Sequence, residues 1–210
     1  MGWSRLLAGR LRDPLVGRDL LVGGLAGVAF ALLINLATVA PAWFNQPTGT
    51  PRFQVISSLG SLRHLVYFIL WSPYPAVTIG FGTLLMLYLD RIIFRSYWLA
   101  LVLVSAPLYF LFGVITGSDE LWSLSVALFT VGYMVVVLRA GLLTAVTSMY
   151  VFLVVIGTPL TSDLSSWYAE RTLTSMTLLV ALLGYGFWFS LGGKPLFGNA
   201  LTHQNGDGGN

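Results

Sequence analysis

Residues Leu20 to Ala40 read LLVGGLAGVAFALLINLATVA, an apolar run without a single charged residue. About 20 such residues in a helix match the hydrocarbon thickness of a bilayer. The run is longer than the core of a secretory signal peptide and is followed by no convincing small-residue cleavage site, so it predicts a retained membrane span. Similar runs recur along the chain. The predicted fold class is therefore all-α, a polytopic membrane helix bundle.

The composition of the whole chain favours the same class. Of its 210 residues, 56% are hydrophobic and 9% are charged, whereas about a quarter of the residues of a soluble domain are charged. The absence of cysteine excludes disulfides, thiolate metal sites and cysteine nucleophiles. The two histidines, His64 and His203, lie far apart in the sequence, so a histidine metal cluster is not expected. No cofactor is predicted.

Six transmembrane helices and two flanking segments are predicted from the apolar runs and the breaks between them. The predicted spans cover about residues 20–40, 74–89, 98–115, 121–138, 142–156 and 173–191. Residues 1–19 form a basic, amphipathic entry segment, expected to lie on the membrane surface with its arginines toward the headgroups. Residues 195–210, rich in Asn and Gly, are expected to be a disordered tail.

The segment of about residues 55–71 is ambiguous. Its apolar residues follow a 3.6-residue period, but a crossing over this range would place Arg63 and His64 near the bilayer centre, at a cost of several kcal/mol for the arginine. Pro73 and Pro75 are expected to break the helix at the end of this segment, before the second span. The segment is therefore predicted to be an interfacial or re-entrant helix ahead of the second span.

The arginines and the lysine predict the orientation of the chain. With six spans and the N-terminus inside, eight of the eleven basic residues fall in inside segments and three outside. Cytoplasmic loops carry an excess of Lys and Arg, so both termini are predicted to be cytoplasmic in a bacterial inner membrane. Most of the inside residues are expected to contact lipid headgroups: Arg12, Arg18, Arg91, Arg95, Arg139 and Lys194. Basic residues spread along loops do not favour nucleic-acid binding.

Few polar residues fall where chemistry is expected. Gly23 and Gly27, four residues apart, predict close helix packing, and Asn35 is expected to form a hydrogen bond across a helix interface. No span carries a charge near its centre, which leaves transport unsupported.

The outer loop before the last span contains the remaining polar residues of interest. There, Asp163, Glu170 and Arg171 are expected to form a helix cap and a solvated pair, and Trp167 and Tyr168 an interfacial anchor.

Two stretches carry a family resemblance. The entry reads WSRLLAGR from Trp3, followed by DPLVGRD from Asp13, and the ending reads PLTSDLSSWYA from Pro159, then LGYGF from Leu183 and KPLFG from Lys194. Together they resemble the C-terminal membrane region of multi-pass bacterial serine/threonine protein kinases of the Acidobacteria-like kind. The resemblance implies a membrane region that follows a cytoplasmic kinase domain.

The catalytic motifs of a kinase are nevertheless missing from the sequence. The only lysine, Lys194, lies beyond the last predicted span, and neither an H-R-D nor a D-F-G motif occurs. The chain is therefore predicted not to be an enzyme. Its expected role is that of a membrane anchor and possible sensory domain of such a kinase, with the lipid bilayer, a kinase domain or a second copy of itself as partners.

Two other functions stay open at the level of sequence. One is a small permease or an accessory subunit of a transporter, which a buried ionisable group would favour. The other is a membrane scaffold that oligomerises through its glycine faces.

Overall fold

The computed structural model describes residues 2–45, 60–94, 97–113, 120–159, 161, 163 and 165–191. Within these ranges the chain forms eight helices and contains no strand, which confirms the all-α class. In chain order they are α1 (Gly2–Leu7), α2 (Pro14–Trp43), α3 (Leu62–Trp71), α4 (Pro73–Phe94), α5 (Tyr97–Gly113), α6 (Glu120–Ala140), α7 (Leu142–Gly157) and α8 (Ala169–Ser190). The predicted tail, 195–210, lies outside the described residues.

Helix α2 begins at Pro14, six residues before the predicted span. The Asp13 side chain accepts a hydrogen bond from the Leu15 N–H at 3.0 Å and so caps the helix. Pro14 occupies the first helical position, where its missing N–H has no partner to lose and its fixed φ suits the helix. The predicted entry segment is thus a short helix, a turn and the first turns of α2. Asp13-Pro14 starts the long helix instead of separating a surface segment from it.

Helix α2 lies at the centre of the bundle, where α7 and α8 pack against different sides of it and α6 also contacts it. Most of α7 is buried, although it is only 16 residues long. Beside it Phe129 of α6 stacks on Phe152 of α7 with ring centroids 4.7 Å apart, and Phe30 of α2 meets Phe129 edge to face at 5.3 Å. This aromatic cluster fills the middle of the core, where large rings bury the most apolar surface.

The ends of the bundle differ in what they carry. At the terminal end, Gly2 lies against Leu143 at the start of α7, and Gly17 lies against the backbone of Ser190 at the end of α8. At the opposite end, called the loop end, residues 158–168 connect α7 to α8. Helices α2 and α7 therefore run from the terminal end to the loop end, and α8 returns.

Helix α3 ends at Trp71 and α4 begins at Pro73, and both helices pack along α7. Phe68 of α3 lies against Gly157, and Gly80 of α4 lies against Val146, so α3 and the first half of α4 follow α7 over its length. The residues from 62 to 93 form one apolar stretch, long enough to cross a membrane. The interfacial or re-entrant helix stays a prediction for the described part of segment 55–71, and residues 55–59 lie outside the described ranges.

Two prolines lie at the junction of α3 and α4. Pro73 and Pro75 remove two backbone donors, but the neighbouring bonds remain: Ser72 donates its N–H to the Phe68 carbonyl at 2.9 Å, and Ala76 to the Ser72 carbonyl at 3.2 Å. Arg63 lies exposed in the first turn of α3. A crossing that starts there holds the arginine at its end, where the cost of a charge is low, and not at its centre.

By length and composition, four stretches of the described chain can cross a membrane. They are Pro14–Trp43, Leu62–Ile93, Leu121–Ala140 and Ala169–Ser190. Two further predicted spans coincide with shorter apolar helices, Leu101–Phe110 within α5 and Leu142–Gly157, which is α7. These helices identify the chain as a membrane protein.

Candidate functional site

Glycines set the close packing at the centre of the bundle. A methyl group on Gly23 would lie 2.6 Å from the Thr144 carbonyl oxygen, and one on Gly27 would meet the Ser148 carbonyl and lie 2.8 Å from the Val151 Cβ. Both glycines of the predicted packing face therefore hold α2 against α7 of the same chain. Such small-residue contacts let helix backbones approach closely.

A buried polar cluster lies at the loop end, where α7 ends and α8 begins. This loop-end cluster consists of Thr158, Arg171, Thr172 and Ser175, all of which are buried. The hydroxyls of Thr158 and Ser175 are 3.0 Å apart, and Thr172 donates its hydroxyl to the Pro159 carbonyl at 2.8 Å. Thr172 also accepts the N–H of Thr161 at 3.2 Å. These bonds tie the connecting loop to the first turns of α8.

Arg171 is the charged member of the loop-end cluster. Only 8% of its surface is exposed, and its Nε and Nη1 atoms are buried without a hydrogen-bond partner. The guanidinium carbon lies 5.1 Å from the centre of the Trp167 ring, within reach of a cation–π contact. The predicted solvated pair is therefore wrong for this residue, because the loop folds over the start of α8 and removes the arginine from water.

The loop itself is organised by Asp163, which is exposed and does not cap α8. Its carboxylate accepts the Ser165 hydroxyl at 2.7 Å and the Ser165 N–H at 2.9 Å. These bonds, the hydroxyl first, hold the pKa of the Asp163 carboxyl below its usual value. The N-cap of α8 is Tyr168, which makes no side-chain cap bond. The predicted cap is therefore wrong.

Trp167 lies exposed at the loop end and meets Tyr168 edge to face, with ring centroids 5.5 Å apart. That position is compatible with the predicted interfacial anchor.

Asn35 lies toward the loop end on the side of α2 that faces α8. Its Nδ2 donates to the Ala31 carbonyl at 2.9 Å, so this bond lies within α2 and not across a helix interface as predicted. Farther down α2, Gly17 and Gly24 contact α8. Steps of three and four residues from Gly24 lead along the same helix face to Ala31 and Asn35. This spacing places the asparagine at the height of the loop-end cluster.

A second charged cluster lies at the terminal end. Asp19 of α2 is 6% exposed, and Gly2 lies directly against its carboxylate. The Arg18 Nη2 donates to the Asp19 Oδ1 at 3.4 Å. Arg5 of α1 pairs with Asp13, which connects α1 to the cap of α2. The N-terminal helix is thus folded onto the bundle through charged groups, in addition to any contact with lipid.

The other residues of the orientation argument are exposed where the structure describes them. Arg12 lies in the turn before α2, Arg91 in α4 and Arg139 at the end of α6, and all three are exposed. Their positions suit contacts with headgroups. Arg95 and Lys194 lie outside the described residues.

Sequence reasoning missed the burial of Asp19 and of Arg171. Each is the charged residue nearest to one end of an apolar run, which normally marks an exposed boundary. Their burial depends on segments that fold back over them, α1 in one case and the loop 158–168 in the other. A partial signal was present for Asp19, because Gly2 supplies the small residue that a close approach to a carboxylate needs.

Metal binding finds no support in the described part of the chain, where no three His, Cys, Asp or Glu side chains come together. Comparisons of the chain with protein-family models, with curated proteins and with solved structures find no match. The function is therefore argued from the two charged clusters and the helices that join them.

Proposed function

We propose that this chain is a membrane anchor and sensory domain that performs no chemistry of its own. The observation that carries the proposal is the position of the two charged clusters. The loop-end cluster around Arg171 and the terminal-end cluster around Asp19 occupy opposite ends of the same three helices, α2, α7 and α8. A domain that only anchors a protein to the membrane needs a single span, and it needs neither of these clusters.

Transmission between the ends follows from the packing of α2. This helix runs without interruption from Pro14 to Trp43. At Gly23 and Gly27 the backbone of α2 lies directly against the backbone of α7, with no flexible side chain between the two helices. Closely packed elements move as units and do not deform locally, so a shift at one end displaces the other.

A spin label at the terminal end tests this coupling. The chain has no cysteine, so Leu7→Cys in the exposed part of α1 gives a single labelling site. Thr158→Val removes the bond to Ser175 at the loop end, and we expect it to change the mobility of the label. Val180→Ala, at a lipid-facing position of α8, is the matched control and leaves the mobility unchanged. An unchanged label in Thr158→Val would remove the basis for a sensory role.

A protein kinase is the proposed partner, on the strength of the resemblance at Trp3–Arg10 and at Pro159–Ala169. The predicted cytoplasmic position of both termini suits such a partner. The test is the reading frame upstream of Met1 together with the length of the native transcript. An in-frame kinase domain supports the partner, and an upstream stop codon with a separate promoter contradicts it.

A permease is the second candidate, because Asp19 and Arg171 are the buried ionisable groups that such a function needs. Their positions at the ends of the bundle count against it, since transport sites lie near the bilayer midplane. The glycine contacts between α2 and α7 also leave little space for a path between the two groups. Solute uptake by proteoliposomes that is lost in Asp19→Asn would favour this function over sensing.

A further inference from the structure

The Arg171 guanidinium is a buried cation with two donors that have no hydrogen-bond partner. Taking a cation out of water costs several kcal/mol unless a counter-charge or hydrogen bonds replace the water. The described residues offer Arg171 only the face of the Trp167 ring, and no carboxylate among them forms an ion pair with it. Its neighbour Glu170 is exposed and bonds to Thr174 through its backbone carbonyl.

The helix that carries Arg171 increases the need for an anion. Arg171 lies in the first turn of α8, where the helix dipole already provides partial positive charge. No side chain caps this end, because the N-cap residue Tyr168 makes no cap bond. A cation at a helix N-terminus is the unfavourable arrangement, and here it is buried as well. Two positive sources thus act on the same small volume.

The donors that lack partners identify the ligand chemistry. Nε and Nη1 lie on different edges of the planar guanidinium, and neither has a hydrogen-bond partner, so each edge keeps a donor that an oxygen acceptor would satisfy. The arginine fork matches the oxygens of carboxylates and phosphates better than any other side chain does. The Trp167 ring lies against the guanidinium and is itself 71% exposed, so on this side a surface side chain covers the arginine.

We propose that Arg171, covered by Trp167 at the start of α8, binds an oxyanion, either a carboxylate or a phosphate group. This site is the input end of the sensory function proposed above, and the inference rests on that function for its biological role. The oxyanion comes from one of two sources, a soluble ion or the headgroup of a membrane lipid.

Thermal unfolding of the purified chain in maltoside micelles, which carry no anionic group, tests the proposal. Inorganic phosphate or acetate is added to one series. Phosphatidylglycerol is added to a second, with neutral diacylglycerol at the same concentration as its control. We expect the melting temperature to rise in one or both series. A rise with the soluble anions identifies a soluble ligand, and a rise with phosphatidylglycerol alone identifies a lipid headgroup.

Substitutions assign the effect to Arg171. We expect Arg171→Met to abolish the rise and Arg171→Lys to weaken it, because lysine keeps the charge without the planar fork. Arg139→Met, the same change at an exposed site, leaves the rise intact. Without any anion, we expect Arg171→Met not to lower the melting temperature, because the loss of the Trp167 contact is offset by the removal of a buried charge with unpaired donors. A purely structural arginine would instead lower it.

The proposal is overturned if none of the anions raises the melting temperature of the unmodified chain, or if Arg171→Met responds as the unmodified chain does. Either result concerns binding alone. The spin-label experiment on α1 tests transmission by removing a hydrogen bond and adds no anion, so a failure of the site and a failure of the sensory function give different results.

Discussion

Gly27 shows how much of the packing depends on single atoms. A side chain at this position meets the backbone carbonyl of Ser148, which cannot turn away as a flexible side chain can. We expect Gly27→Leu to destabilise the chain by at least about 1–3 kcal/mol, the usual cost of overpacking. Unfolding in detergent, followed by circular dichroism, measures the change.

Gly184→Ala is the matched control for Gly27. Gly184 is also helical, but a methyl group there meets nothing within 4 Å. Alanine has the higher helix propensity, so this substitution is expected to be neutral or to stabilise by up to about 1 kcal/mol. Equal losses for both variants would contradict the proposed contact between α2 and α7.

The Asp13 carboxyl is expected to make the stability of the chain depend on pH. The Leu15 N–H, followed by the Arg5 guanidinium, holds the pKa of the Asp13 carboxyl below its ordinary value. A lowered carboxyl pKa contributes stability above the ordinary value, near about 3.9, and that stability is lost as the pH falls through the lower folded pKa. We expect Asp13→Asn to lower the melting temperature at pH 7 and to lower it by less at pH 3. A difference that is the same at both pH values would contradict this assignment.

The residue scale is also where the sequence was least informative. Gly23 and Gly27 were predictable as packing residues, because small residues four apart share a helix face. The partner helix was not predictable, since α7 comes late in the chain. Arg171 was misplaced because a charge at the end of an apolar run is normally solvated, and only the fold of the loop around Asp163 and Thr172 removes it from water.

Among the helices, α3 and α4 show where the sequence pattern leaves two arrangements open. The periodic stripe and the two prolines suggested a surface helix followed by a span. The backbone bonds on either side of Pro73 keep the segment helical, and its contacts with Gly157 and Val146 align it with α7. Local patterns predict that a helix forms, but the neighbouring helix on which it packs decides its position in the bundle.

Trp71 distinguishes the two arrangements. It lies on the side of α3 opposite the apolar stripe of Leu62, Val66 and Ile69. A surface helix would turn this side to water, whereas a crossing helix holds it near the middle of the bilayer. We therefore expect Trp71→Cys in intact membranes to resist a membrane-impermeant maleimide. Gly60→Cys, just before α3, is the control and is expected to be labelled. Labelling of both cysteines would show that α3 lies on the membrane surface.

At the scale of the whole molecule, the fold class and the helix positions were predictable. Runs of about 20 apolar residues have few alternatives to a membrane helix, because backbone groups in lipid must bond to one another. The charge bias adds a predicted orientation, which the packing of the helices does not determine. The arrangement of α2, α7 and α8 around one another was not predictable, since every span presents a similar apolar surface.

Reporter fusions test the orientation. The predicted bias, eight basic residues inside and three outside, places both termini in the cytoplasm. We expect a fluorescent protein that folds only in the cytoplasm to be bright when fused after Asn210. Alkaline phosphatase, which is active only outside, is expected to be active when fused after Asp163. The reverse pattern would invert the topology, and activity of both reporters at one position would indicate a mixed orientation.

The order of the helices along the chain sets a constraint on biogenesis. Helix α2 is synthesised before its main partners, α7 and α8. During the synthesis of α3 to α6, the face of α2 that carries Gly23 and Gly27 does not yet have its partner α7. This face therefore contacts lipid or the insertion machinery. A chain that stops before α7 leaves this face permanently uncovered and becomes a substrate for membrane quality-control proteases. The synthesis of α7 thus decides whether α2 is kept.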